Sequence, residues 1–425
     1  MKVLVIGGGG REHAIVKKLL ESPKITELYA APGNAGIGKD AVCVDIKATD
    51  IMAMTAFAVE KAIDFAVIAP DDPLVLGMAD ALTEKGVRCF GPDKAAARIE
   101  GSKVFSKNLM KRYGIPTAAY ESFDCVENAR EYVQTASYPL WIKTDGLALG
   151  KGAIQAADAD SAFEILKRLM IVREFGESGS RVVIEEHMSG PEVTVLAFSD
   201  GKTIRPMLSS MDHKRALDGD TGPNTGGMGA VAPNPYYTDE VAALCMDEIF
   251  LPTIRAMESE GCPFRGCLYF GLMLTASGPK VVEYNCRFGD PEAQVLLSML
   301  ETDLLEIMSA VSDGTLADID IRWKLGAAAC VVVASGGYPG SYDTGLPISG
   351  LDERGGVDGA AVYHAGTKWN GGFVTSGGRV LGVTTTAKTL DSALDAAYRA
   401  VERISFKGAY YRRDIGRNNV IKSHQ

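Results

Sequence analysis

The sequence predicts an α/β protein of several domains, and three observations carry the prediction. Short apolar, β-branched runs alternate with amphipathic stretches from Lys2 to Phe90, the pattern of a parallel sheet with helical crossovers. Beyond Ser122 the apolar runs are divided by a glycine loop and later by a long polar segment, an α+β pattern. After Asp320 the composition changes to glycine-rich hairpins and one last helix. At 425 residues the chain exceeds what one core organises, so roughly two to four domains are expected.

In order, residues 2–6 read as a strand, Gly7-Gly8-Gly9-Gly10 as a turn, and 11–20 as a helix with Ala14, Ile15, Leu19 and Leu20 inward. Strand 28–31 ends in Pro32-Gly33-Asn34-Ala35-Gly36, and 41–44 offers a third strand. Helix 51–61, strand 65–69, helix 74–85 and strand 88–90 complete the parallel unit, whose ligands belong at the strand C-termini. Helix 94–113 follows, with Gly101-Ser102-Lys103 kinking or splitting it. A small α+β unit covers 122–188: helix 126–135, strand 140–143, a glycine loop, strand 152–156, helix 161–169 and strand 181–186. Strands dominate 192–208. Residues 211–228 lack any strand or helix pattern, and a loop that long is usually functional or disordered. A helix over 238–260, interrupted near Pro252, precedes strands 266–274 and 280–284. Gly289-Asp290-Pro291-Glu292 then turns the chain and caps a helix running through residue 304. Strand 327–334, the Gly336-Gly337-Tyr338-Pro339-Gly340 turn and helix 392–404 mark the C-terminal piece.

Bulk properties exclude several classes. The net charge of −10 argues against a nucleic-acid surface, which carries a basic face. No apolar run reaches the ~18 residues of a membrane span, and with Met1-Lys2 leading straight into a strand pattern no signal peptide is expected. The eight cysteines form no Cys-x-x-Cys pair, so free thiols in a reducing cytoplasm are expected and structural zinc is not. The five histidines hold no His-Glu-x-x-His pattern. A dinucleotide site fails at the glycine turn. The third glycine of Gly-x-Gly-x-x-Gly would fall where Glu12 stands, and no acid ends the second strand. A phosphate-bearing substrate at the helix N-terminus, met by backbone amides and Arg11, fits that turn better; a turn that merely needs glycines is the alternative.

Chemistry is carried by four stretches. Val281 to Glu292 reads Val-Val-Glu-Tyr-Asn-Cys-Arg-Phe-Gly-Asp-Pro-Glu. Strand alternation puts Glu283 and Asn285 on one face, a carboxylate and an amide oxygen suited to a hard divalent cation, with Arg287 placed to hold an anionic oxygen. Leu140 to Gly152 is strand, glycine loop and returning strand, with Lys143 beside the loop and Lys151 within it. Such a loop can close over a triphosphate and exclude water. It is not a Walker A loop, because Gly152 stands where Ser or Thr is required. Val182 to Met188 ends an apolar strand in Glu185 and Glu186, which can meet an adenine edge and ribose hydroxyls; edge-strand acids that deter aggregation are the alternative. Asp212-His213-Lys214-Arg215 and Thr221 to Gly229 form a segment able to wrap a small polar substrate.

The order of these parts resembles the ATP-grasp fold, two α+β lobes that clamp ATP and Mg²⁺. Together with Gly9-Gly10-Arg11-Glu12-His13-Ala14, Ala31 to Gly36, Thr144-Asp145-Gly146-Leu147-Ala148, Asn285 to Glu292, Gly336 to Gly340 and His364-Ala365-Gly366-Thr367, they resemble the phosphoribosylamine–glycine ligase family over nearly the whole chain. The resemblance implies an N-terminal βαβ substrate-binding domain at 1–102, an ATP-grasp domain at 103–323 with its small lobe at about 121–189, and a C-terminal α+β domain at 324–425. It implies Glu283 and Asn285 as ligands of Mg²⁺ or Mn²⁺, and Lys103, Lys143, Glu185, Glu186 and Glu192 as nucleotide contacts, with Lys151 in a mobile loop. It implies Gly9, Gly10 and Arg11 near the phosphoribosylamine phosphate. Asp212, Lys214, Gly226, Gly227 and Arg287 fall near glycine and the acyl phosphate, with Arg287, Lys143, Asp212 and Lys214 as the catalytic set. Three departures touch affinity rather than reaction type: Asp71 for a usual glutamate, Leu149 for alanine and His187 for an aromatic residue.

The activity so implied is the ATP-dependent joining of glycine to 5-phosphoribosylamine through glycyl phosphate, in purine biosynthesis. Its setting would be a cytoplasmic monomer or homodimer without nucleic acid or membrane. Another ATP-grasp carboxylate–amine ligase is the enzymatic alternative, separated by glycine-dependent ADP release. A non-enzymatic nucleotide sensor is the other, and it need not retain Glu283, Asn285, Arg287 and Lys143 together.

Overall fold

The computed structural model describes residues 1–148 and 152–417. A five-stranded parallel sheet opens the chain, ordered Val42–Cys43, Glu27–Pro32, Lys2–Gly7, Phe65–Ile68, Arg88–Phe90. Its central strand is covered on both faces. Val3 and Val5 point into one core and Leu4 and Ile6 into another, which is why the run is apolar without alternation. The turn after Gly7 delivers helix Gly10–Leu19.

The second sheet has eight strands, all antiparallel: Gly278–Asn285, Arg265–Thr275, Glu192–Asp200, Ile204–Asp212, Gly229–Ala232, Ala327–Ala334, Arg379–Ala387, Ala361–His364. The last three come from beyond Asp320. They join the others through Gly229–Ala232, where Gly229 pairs with Val331. A Cβ on Gly229 would stand 2.7 Å from the Cys330 carbonyl oxygen, so the junction needs glycine. A third, four-stranded antiparallel sheet runs Tyr120–Phe123, Val182–Glu186, Leu140–Thr144, Ala153–Ala156, backed by helices Val126–Thr135 and Ala159–Leu166.

Several expectations need correction. The stretch at 74–85 is two helices, Asp71–Leu76 and Met78–Glu84, broken at Gly77 with φ +95°. Helix 94–113 does split at the expected Gly101-Ser102-Lys103, into Lys94–Gly101 and Lys103–Tyr113, because the Ser102 hydroxyl caps the second piece from an extended backbone. The expected interruption near Pro252 is present: after Asp239–Cys245 a π turn, Met246–Phe250, breaks the α-helical register, and Pro252 sits in the first turn of Leu251–Ser259, where its missing amide is tolerated. The helix after Pro291 does not reach residue 304. It ends at Met299, and Asp303 caps a new helix, Leu304–Asp313. The segment 211–228 is not patternless: Arg215–Leu217 and Thr221–Asn224 pair antiparallel with an irregular register. All eight cysteines are free thiols. Among the described residues no helix is long and apolar enough to cross a membrane.

Candidate active site

Strand Gly278–Asn285 forms the floor. Gly271 faces Glu283 and Leu272 faces Val281, so Val282 is left out of register as a bulge. Lys143, from the small sheet, donates to the Val282 carbonyl at 3.4 Å. The same Nζ lies 2.9 Å from Glu185 Oε2, and Lys107 Nζ lies 3.0 Å from that oxygen. All three side chains are buried. Burial alone would raise the Glu185 pKa, but Lys143 and Lys107 outweigh it and hold the group below the usual carboxylate range. Burial, only partly offset by Glu185, brings Lys107 down to about 8. Two lysines thus share one carboxylate, and Glu185 Oε1 has no hydrogen-bond partner. The region carries positive charge in excess, fit for an anion.

Glu283 is partly exposed and pairs with Lys214 at 3.2 Å. Lys214 first, then Lys143 and Lys103 against the opposing effect of burial, bring its pKa to about 2. The Asn285 amide oxygen accepts from Arg287 Nη2 at 3.2 Å. Arg287 is braced by Glu100, whose carboxylate accepts from Arg287 Nη2 at 3.0 Å and from the Cys286 amide at 2.7 Å. Arg287 Nε is buried without a partner and so remains able to donate.

The joint beyond the floor brings carboxylates close together, with Lys214 and Arg379 beside them. Asp212 ends strand Ile204–Asp212. A Cβ on Gly227, at φ +114°, would stand 2.7 Å from Asp212 Oδ1 and 2.5 Å from Pro291, so only glycine lets this backbone pass. Asp212 Oδ1 is buried and unpartnered. Burial and the Glu292 carboxylate push the Asp212 pKa well up, and burial raises Glu292 as well. Arg379 closes the joint. Its Nη1 donates to the carbonyls of Gly226 at 2.7 Å and Asp290 at 2.6 Å, and its Nη2 pairs with Asp290 Oδ2 at 3.2 Å. The Gly226 amide donates to the Tyr338 hydroxyl at 3.1 Å.

The structure brings together Lys143, Glu185, Glu283, Asn285, Arg287, Lys214 and Asp212, with Lys103 near enough to lower Glu283. Glu186 is exposed and accepts from the Ala119 amide at 3.0 Å, and Glu192 is exposed at a strand start. Lys151 and Leu149 lie outside the described residues. His187 Nδ1 accepts from Trp141 Nε1 at 3.2 Å. Asp290 and Glu292 brace rather than cap, since no side chain caps helix Glu292–Met299.

Beside the glycine turn lies a cavity of about 810 Å³, lined by Gly8, Gly9, Asn34, Lys39, Thr367 and Arg379 among others. Neither Gly10 nor Arg11 lines it. Arg11 is spent on Glu12 Oε1 at 2.7 Å and the Phe288 carbonyl at 3.1 Å, and the Gly9 amide on Glu12 Oε2 at 2.5 Å. Lys39, whose Nζ stands 3.8 Å from the Trp369 ring centroid, has no ion pair among the described residues. Sequence reasoning missed Lys39, Lys107, Glu100 and Arg379. Each is a lone charged residue whose partners lie far along the chain, so no spacing marks it.

A small lysine-bearing sheet meeting the floor of a larger antiparallel one is the arrangement of the ATP-grasp ligases, the class to which fold and site assign this protein. Models of the phosphoribosylglycinamide synthetase N domain, ATP-grasp (A) domain and C domain match residues 1–100, 101–293 and 328–418. The chain belongs to the phosphoribosylglycinamide synthetase family. It is 47% identical to the phosphoribosylamine–glycine ligase of Caldanaerobacter subterraneus subsp. tengcongensis, over 98% of this chain and 99% of the relative. It is 49% identical to that of Mesorhizobium japonicum, over 99% of each. The crystal structure of phosphoribosylamine–glycine ligase from Thermotoga maritima superposes with a TM-score of 0.86 at 34% identity, covering 98% of this chain and 100% of that one. The biotin carboxylase domain of Hydrogenobacter thermophilus 2-oxoglutarate carboxylase, crystallised with MgADP and bicarbonate, shares the fold with a TM-score of 0.76 at 17% identity, covering 96% of this chain and 91% of that one.

Proposed function

We propose that this chain joins glycine to 5-phosphoribosylamine at the expense of ATP, giving glycinamide ribonucleotide, ADP and phosphate. The observation that carries the reading is the pairing of unlike fields on one floor: a cationic pocket at Lys143 and Lys107, and an acidic joint at Asp212 and Glu292. The first suits the phosphates of ATP, and the second suits the ammonium of glycine.

A carboxylate is a poor electrophile at neutral pH. Attack by a glycine carboxylate oxygen on the γ-phosphorus releases ADP and forms glycyl phosphate, an activated acyl donor. Lys143 and the free Nε of Arg287 stabilise the charge of the transferring group, and positioning supplies much of the remaining acceleration. Asp212 holds the glycine ammonium so that the carboxylate faces the phosphate. The phosphoribosylamine nitrogen then attacks the acyl carbon, phosphate leaves, and the amine loses its proton. No protein nucleophile enters.

Oxygen donors from one carboxylate and one amide fit Mg²⁺, which takes few protein ligands and completes its shell with phosphates and water. The ionised Glu283 and the Asn285 amide oxygen would hold it, and no group of three or more His, Cys, Asp or Glu competes for it among the described residues. When bound, the ion neutralises charge between the β- and γ-phosphates.

The cavity at Gly8 and Gly9 takes phosphoribosylamine, with Lys39 and the turn meeting its phosphate and Arg11 bracing the turn from behind. Residues 1–102, 103–323 and 324–425 act as substrate, ATP-grasp and C-terminal domains. ADP release tests the reading, measured with glycine and phosphoribosylamine each omitted in turn. Turnover that needs ATP and glycine together supports it. Turnover indifferent to glycine refutes it.

A further inference from the structure

His13 lies on helix Gly10–Leu19, fully buried, yet it does not line the substrate cavity. Its Nδ1 is 2.7 Å from the backbone nitrogen of His364. A backbone amide can only donate, so Nδ1 is bare and the ring proton sits on Nε2. That Nε2 points at Asp40 Oδ2, 3.2 Å away. Asp40 is fixed in turn by Lys17 at 2.8 Å, with Arg354 3.7 Å off. Burial works against the Asp40 charge, but the hydrogen bonds from His13 and Lys17 bring its pKa to about 2, so it is a full anion.

The same logic assigns the second ring. His364 Nε2 is 2.9 Å from the Gly355 carbonyl, which only accepts, so Nε2 carries the proton. Nδ1 then accepts from the Thr367 hydroxyl at 3.1 Å. Asn34 ties the first strand's turn to this loop, donating to the carbonyls of Gly8 at 2.9 Å and His364 at 2.7 Å. Every donor in the chain Asp40, His13, His364, Thr367 meets an acceptor, and the chain ends on Ala365, Gly366 and Thr367, which line the cavity.

We propose that His13 is a positioning residue: oriented by Asp40, its neutral ring holds the His364–Ala365–Gly366–Thr367 loop in place as one wall of the phosphoribosylamine cavity. The proposal rests on the reading of that cavity given above. A buried histidine serving stability alone would show no preference among substrates.

Two substitutions separate the ring's two jobs. In His13→Asn the side-chain oxygen takes the place of Nδ1 and keeps the acceptor for the His364 amide. In His13→Gln the amide reaches Asp40 but leaves the His364 amide unpaired. His13→Gln is expected to raise the KM for phosphoribosylamine about tenfold, the cost of one buried donor left without a partner. His13→Asn is expected to raise it by no more than about threefold, with kcat and the KM for ATP and glycine within about twofold in both. Hydrogen exchange of the His364 amide in the free protein should speed up in His13→Gln and stay slow in His13→Asn.

Unchanged exchange in His13→Gln, or equal KM changes in both variants, overturns the proposal. Exchange as expected with the KM change falling on ATP or glycine leaves the relay standing and refutes the cavity's assignment. Should His13→Gln not fold, Asp40→Asn decides. It weakens the ring's orientation without touching the cavity and should raise the KM for phosphoribosylamine alone, by about threefold. No rise overturns the proposal.

Discussion

Two buried sites on the same floor make opposite use of carboxylates. Around Glu185, one acid meets two lysines, and the pair of cations keeps it ionised despite burial. Around Asp212, a second acid stands close, and burial with that like charge raises the Asp212 pKa well above the usual range. Burial disfavours charge in both places. The two lysines override burial at Glu185, whereas at Asp212 the Glu292 charge adds to burial and Lys214 and Arg379 offset it only in part; on the proposed reading the first site takes the phosphates of ATP and the second the ammonium of glycine.

Glu283 stands between the two, held ionised chiefly by Lys214, and its removal tests the whole arrangement. Glu283→Gln should lower kcat/KM by about 10²- to 10³-fold and raise the Mg²⁺ requirement. Its stability should hardly change, because the Lys214 pair is partly exposed. Near-normal Mg²⁺-dependent turnover would remove Glu283 from the site.

The contrast itself is sharpest in stability. Glu185→Gln leaves two buried lysines without a counter-charge and should cost about 3–5 kcal/mol in denaturant unfolding. Added ATP should restore part of that, since its phosphates supply the missing anion. Asp212→Asn should cost under about 1 kcal/mol, because a neutral amide replaces a group the site already disfavours as an anion. It should instead raise the KM for glycine about ten- to a hundredfold, the worth of one charge-assisted hydrogen bond to an ammonium. Equal stability losses in the two variants would break the comparison.

The smallest expected effect is on pH dependence. Asp212 has a raised pKa in the folded state, so its favourable contribution is complete below the unfolded value of 3.8 and is lost as pH rises through the folded value. Glu185 has a lowered pKa, so its contribution is present above the unfolded value of 4.5 and is lost as pH falls. As pH rises above the unfolded carboxylate range, Asp212→Asn should therefore gain melting temperature relative to the parent, and Glu185→Gln should show no such gain. Parallel melting curves for parent and Asp212→Asn would show that Asp212 does not titrate as its surroundings imply.

Much of the site was legible where function follows local geometry. Alternation along Val281 to Asn285 placed Glu283 and Asn285 on one face, and the glycine turn after Gly7 announced a helix start. The bulge at Val282, which frees a carbonyl for Lys143, left no mark on the sequence. Arg11 illustrates the other limit. A cation at a helix start reads as a phosphate ligand, but its neighbour Glu12 and the distant Phe288 carbonyl take it first. Glu100, Lys107 and Arg379 lie on elements whose own patterns are ordinary, and only packing brings them to Arg287, Glu185 and Asp290.

The amino-acid sequence by itself determined the alternation of strands and helices, the glycine positions that let backbone pass close to backbone, and the chemical types of donor available. Those depend on neighbours within a turn or a strand. Tertiary structure alone decided which carboxylates are charged, which histidine nitrogen carries a proton, and that the strands after Asp320 extend the same sheet as the floor. The physical reason is range. Backbone conformation is set by local sterics and hydrogen bonds, whereas protonation answers to water exclusion and to charges that only the folded chain brings within a few ångströms.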